Sequence, residues 1–208
     1  MLTIRHTQRG MSLIEIAVGL VLLAILIVSG APSFSTWLQN SKIRTTAEAI
    51  QNGLQFARAE AVRRNALVRF QLTSTLDDSC ALSTAAANWI VSFDNPSDLC
   101  GNAYINEAFP ISDAVNNPAP RIIQKRPAAE GSVGVTVAAD QSVIVFNGLG
   151  RVTPMVARVD IDISNTSGGA TCVEAGGNMR CLRLQVTGGG QIRLCDPVLA
   201  GTDPQGCL

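Results

Sequence analysis

Residues 11–31 read MSLIEIAVGLVLLAILIVSGA, an apolar run whose one charge is Glu15. As an α-helix rising about 1.5 Å per residue, the run extends about 31 Å, the thickness of a bilayer core. The ten residues ahead of it, MLTIRHTQRG, carry Arg5 and Arg9 and no acid. The positive-inside rule keeps such a leader cytoplasmic and sends the bulk of the chain across the membrane. A secretory signal peptide cut near Ser29, Gly30 and Ala31 fits less well, because Pro32 follows that site directly and the run exceeds the roughly 7–15 residues of an ordinary signal core. Glu15 weighs more. A carboxylate inside an apolar helix costs about 2.5–3.5 kcal/mol on insertion scales and persists where something uses it. A transmembrane helix over 11–31 is therefore expected, carrying an acid that needs a partner.

Composition agrees with one embedded segment attached to one folded unit. The 208 residues suffice for a single domain and an appendage. A hydrophobic share of 47% against 15% charged excludes global disorder. Lys plus Arg and Asp plus Glu both number 16, so no overall field attracts a polyanion, and any nucleic-acid contact must come from a local patch. The one histidine is His6, ahead of the apolar run, and the lysines are Lys42 and Lys125. Without another histidine, Ser-His-Asp and Cys-His catalysis and His-ligated zinc are excluded. No paired carboxylate motif takes their place. No enzymatic activity, cofactor or metal is expected.

Beyond Pro32 the apolar residues fall on a stripe. Ile43, Ala47, Ile50, Leu54, Ala57 and Ala61 recur at helical spacing, which predicts an amphipathic continuation over 32–65 that packs on a sheet. Lys42, Arg44, Arg58, Arg63 and Arg64 dominate its polar side, with Glu48 and Glu60 between them. Such a basic face fits a solvated flank with subunit contacts better than a nucleic-acid site. After Asn65 the period changes to two. Val68, Phe70 and Leu72 alternate with Arg69 and Gln71, Trp89, Val91 and Phe93 with Ile90 and Ser92, and Val133, Val135 and Val137 follow the same rule. Val143–Phe146 is a continuous apolar run, and Ala157 to Ile163, Leu182 to Val186, and Ile192 with Leu194 complete the set. Residues 66–208 thus read as a head of about seven strands, and the whole as an α+β fold with antiparallel sheets on the helix. Long polar connections over 94–120 and 164–178 are surface loops.

The six cysteines all follow the apolar run and form no C-x-x-C pair. Structural disulfides in an oxidising compartment are expected, not a redox site or zinc ribbon. Of fifteen connectivities, chain proximity favours Cys80–Cys100, Cys172–Cys181 and Cys195–Cys207, and spacing alone leaves the others open. Gly168-Gly169 and Gly188-Gly189-Gly190 lack the context of a phosphate loop.

Gly10, Met11-Ser12-Leu13-Ile14-Glu15 and an apolar helix containing Pro32 resemble the prepilin signature of type IV pilins and type II secretion pseudopilins. The resemblance implies that a prepilin peptidase cuts between Gly10 and Met11, removing the leader 1–10, and N-methylates Met11, where the family usually has Phe. It further implies that Glu15 meets the amino terminus of a neighbouring subunit in a helical filament, and that Pro32 marks a kink. Ser41–Asn65 resembles the helix of the GspH/FimT group of minor pilins and pseudopilins. Gly148-Leu149-Gly150-Arg151-Val152 looks like a motif of the same group, although a turn before a strand explains it as well. The tail over 188–197 is similar to FimT- and FimU-type minor pilins, whose DNA-uptake members carry G-R-x-R. Here the tail reads Gly190-Gln191-Ile192-Arg193, matching one arginine, with Arg180 and Arg183 as candidate supplements and Asp196 and Asp203 nearby.

The expected role is a non-catalytic minor pilin that initiates or caps a type IV pilus. It would sit single-pass in the bacterial inner membrane, head in the periplasm, with other minor and major pilins or pseudopilins as partners. The alternatives are an H-type minor pseudopilin of a type II secretion system and a DNA-binding minor pilin, DNA being the less favoured partner.

Overall fold

The computed structural model describes residues 12–128, 134–165 and 171–208, and leaves the side chains of residues 28–33 undescribed. The leader 1–10 with Gly10 and His6, Met11, Val133 and Gly168-Gly169 lie outside the described residues, as does the side chain of Pro32. One helix, α1 (Leu13–Arg64), is followed by eight strands, β1 (Val68–Thr73), β2 (Asn88–Ser92), β3 (Ile122–Arg126), β4 (Thr136–Ala139), β5 (Val143–Phe146), β6 (Arg158–Ser164), β7 (Leu182–Thr187) and β8 (Ile192–Cys195). The helix is continuous through Pro32. Compactness divides the chain into residues 1–38 and 39–208, so the helix beyond Leu38 belongs with the strands.

Within 39–208 the helix carries the stripe read from the sequence. Ile43, Ala47, Ile50, Leu54, Ala57 and Ala61 are all fully buried. The helix ends in a Schellman turn. Asn65 adopts φ +48°, its N–H donates to the Val62 carbonyl, and the Ala66 N–H donates to that of Ala61. Two antiparallel sheets, ordered β3-β2-β1-β5 and β4-β6-β7-β8, share one core with this helix. The first sheet contributes Phe70, Leu72, Trp89 and Phe146, the second Val159, Ile161, Ile163, Leu184 and Val186. Gly53 marks a close approach of helix to sheet, where an added Cβ would lie 2.8 Å from the Phe70 ring and 2.9 Å from that of Trp89.

β3 is a strand that no alternation in the sequence predicts. It holds only two adjacent apolar residues, Ile122 and Ile123, before Gln124-Lys125-Arg126, because it is an edge strand whose one strand partner is β2, with a single bridge from Tyr104 to Ile122 on the other side. Edge strands are commonly charged, and alternation is not required of them. Phe93 falls just past β2, and Val135 just before β4. On the outer face of the first sheet, Ile90 and Ile122 pack with the Cys80–Cys100 disulfide under the 94–120 connection. The other disulfides are Cys172–Cys181 and Cys195–Cys207, and no cysteine is free.

Candidate functional site

The start of α1 presents its apolar side chains outward. The Ser12 carbonyl accepts from the N–H groups of Glu15 and Ile16, forming the first turn. From Leu13 to Ile27 every large apolar side chain is more than half exposed, Leu13 at 86%. Glu15 is the single charge among them, and among the described residues nothing pairs with its carboxylate. Exposed apolar surface of this extent is unfavourable in water, by about 25 cal/mol per Å². Among the described residues no helix is long and apolar enough to cross a membrane. The described apolar run, 12–27, falls short of the roughly 20 residues a span needs, and the expected span 11–31 includes Met11 and the side chains of 28–31, which lie outside the description.

The three arginines considered for DNA are engaged elsewhere, or face acids. Arg193 on β8 donates from Nη2 to the carbonyls of Pro204 (2.7 Å) and Gly206 (2.8 Å). It thereby pins the tail that Cys195–Cys207 closes, together with the Asp196 N–H on the Gln205 carbonyl. Arg183 on β7 is paired with Asp162 at 2.6 Å and faces Asp160 at 3.8 Å. That hydrogen bond to Asp162 raises the Arg183 pKa further. The register Asp162↔Arg183, Asp160↔Gln185 and Gln185↔Arg193 puts both arginines on the face that carries two carboxylates. Arg180 keeps an exposed guanidinium 3.9 Å from Asp196. These residues share one sheet region without forming a bare cationic patch.

The basic flank of the helix is likewise committed. Arg44 pairs with Glu48 one turn on. Arg63 and Arg64 converge on Glu60, at 2.8 and 2.7 Å, and both reach Glu107 in the 94–120 connection. Burial pushes the Glu60 carboxyl up, but the hydrogen bonds from Arg63 and Arg64 outweigh it and hold the pKa below the ordinary value. Asp94 is held low by its paired bonds with Arg121, 2.7 and 2.8 Å, at the root of the same connection. Arg58 has a role the sequence did not indicate. Its Nε donates to the Gly150 carbonyl at 3.1 Å, across 92 residues. Gly190, at φ +81°, lies so close that a Cβ there would stand 1.8 Å from the same oxygen. The two glycine-containing motifs, 148–152 and 190–193, therefore meet at one helix arginine, and Gly190 is required by close backbone approach.

A shallow apolar groove of about 610 Å³ opens between Leu67, Phe93 and Ile111, rimmed by Arg69 and Arg121. Among the described residues no group of three or more His, Cys, Asp or Glu could hold a metal ion.

A family model described as type II transport protein GspH matches residues 46–190, and a prokaryotic N-terminal methylation motif matches residues 5–31. No curated protein matches the chain in sequence. Two crystal structures of the type IV minor pilin FimU of Pseudomonas aeruginosa PAO1, in different space groups, are similar at 16% identity. They cover 80% and 79% of this chain and 95% and 99% of their own, with TM-scores of 0.47 and 0.46.

Proposed function

The chain belongs to the GspH family and is by that membership a minor pilin or pseudopilin, and we propose that it works as a non-catalytic subunit that initiates or caps a type IV pilus. In this reading the prepilin peptidase cuts between Gly10 and Met11 and methylates Met11. Residues 11–31 then hold the unassembled subunit in the inner membrane, with the head in the periplasm. In the filament, Glu15 pairs with the amino terminus of the neighbouring subunit, an ion pair that replaces lost hydration.

The observation that carries the proposal is the contrast within α1, apolar and exposed on all sides before Ile27 and buried along one stripe after Ile43. The head satisfies its own half of the helix and leaves the other half for an assembly. Amino-terminal sequencing of native subunit is expected to begin at Met11; a start at Met1 or beyond Pro32 overturns the processing step. Glu15→Ala is expected to reduce filament number severely while the head stays folded, and unchanged piliation overturns the assembly role.

The family description favours a second reading, an H-type pseudopilin of a type II secretion system. Loss of secretion without loss of pili on deletion would select it. Contact with DNA draws less support, since Arg193 and Arg183 already serve the tail and Asp162. Salt-dependent DNA retardation by residues 39–208 would revive it, and none at low ionic strength disposes of it.

A further inference from the structure

Between Glu15 and Lys42 the chain has 26 residues without a charge. As helix these make about 39 Å, more than a hydrocarbon core of about 30 Å, so charge alone leaves the depth of the segment undetermined. Phe34 and Trp37 supply a marker. They stand one turn apart on one face of α1, with ring centroids 5.9 Å apart and planes tilted by 31°. Phe34 is 64% and Trp37 63% exposed, and Leu38 adjoins them. Among the described residues nothing covers this pair, whereas the other tryptophan, Trp89, is 3% exposed. On the reading of 11–31 as the span, Phe34 and Trp37 lie about 4.5 and about 9 Å past its end along the helix, the depth of the headgroup region.

We propose that Phe34 and Trp37 form an interfacial anchor, seated in the headgroup region of the periplasmic leaflet, that sets the depth of the unassembled subunit. The proposal rests on the reading of 11–31 as a membrane span. Its occupant is phospholipid, for two reasons. The pair follows, on the same helix, an apolar run that is exposed on all sides from Leu13 to Ile27, and an indole ring, apolar with one N–H donor, suits a boundary that is apolar on one side and wet on the other. Depth matters to assembly, because raising or lowering the helix by one turn moves Glu15 about 5.4 Å relative to its neighbours.

The full chain, and its Trp37→Phe variant, would be reconstituted into phosphatidylcholine vesicles brominated either near the headgroup or deep in the acyl chain. The difference between the two proteins isolates Trp37 from the buried Trp89, and vesicle flotation reports insertion independently. The expected result is co-flotation with Trp37 quenched about twofold or more strongly by the shallow bromines than by the deep ones. Co-flotation with deeper quenching, or with a blue-shifted Trp37 that no bromolipid quenches, overturns the anchor and in the second case points to a protein contact. Failure of the chain to float overturns the span itself, and the anchor with it.

Discussion

The two halves of α1 answer to different surroundings. Along residues 43–61 one stripe is sealed against two sheets and the opposite flank is charged, as a helix must be when one side meets a core and the other meets water. Along 13–27 apolar residues occupy every side and stay exposed, a pattern that suits a surrounding apolar on all sides. The same backbone hydrogen bonding serves both. The lesson is that helix formation and helix burial are separate decisions here, the first local and the second made by whatever surrounds each segment.

The largest test of that contrast is a matched pair of truncations. Leu54→Ala opens a cavity under both sheets and should destabilise the head by about 2–5 kcal/mol in denaturant unfolding. Leu22→Ala removes the same atoms from an exposed site and should leave head stability within about 0.5 kcal/mol. Equal effects would break the division between the halves.

Next in size is the tail. Replacing Cys195 and Cys207 by Ser should cost about 2–3 kcal/mol, since the bridge closes a separation of 12 residues. Hydrogen exchange should rise first in residues 196–208, where Arg193 also loses its carbonyl partners, while α1 stays protected.

A smaller effect concerns acid. Glu60 and Asp94 both have folded pKa values below their ordinary ones. Their pairing with Arg63, Arg64 and Arg121 therefore stabilises the head fully above the usual carboxylate range, and the contribution fades as pH falls through that range toward the depressed values. Thermal midpoints should drop on acidification, and Asp94→Asn should flatten the drop. Because 12–38 holds one acid, Glu15, the acid response belongs to the head. The smallest effect is expected of Arg44→Ala, which removes an exposed pair with Glu48. A stability change above about 0.5 kcal/mol there would mean the helix flank is structured in ways the pairing does not explain.

Some of these elements were readable in the residues and some were not. The stripe from Ile43 to Ala61 was legible residue by residue, because helix periodicity reports a buried side directly. Six strands followed from alternation and β5 from its continuous apolar run. β3 did not, since an edge strand with Lys125 and Arg126 has one strand partner and little need to alternate. The fate of the arginines was invisible for a different reason. Arg58, Arg183 and Arg193 look like available cations in sequence, and only the register of β6, β7 and β8 and the path of the tail turn them into internal ties. Glu107, which draws the 94–120 connection onto the end of the helix, carried no local signal either, being 43 residues from Arg64.

The sequence by itself determined that one long helix begins as an all-apolar run and ends on a β-rich head, because hydropathy and its period are properties of neighbouring residues. Tertiary structure alone decided where the positive charge is spent. Ion pairing depends on which distant chain segments arrive within about 4 Å of one another, and no spacing along the chain encodes that.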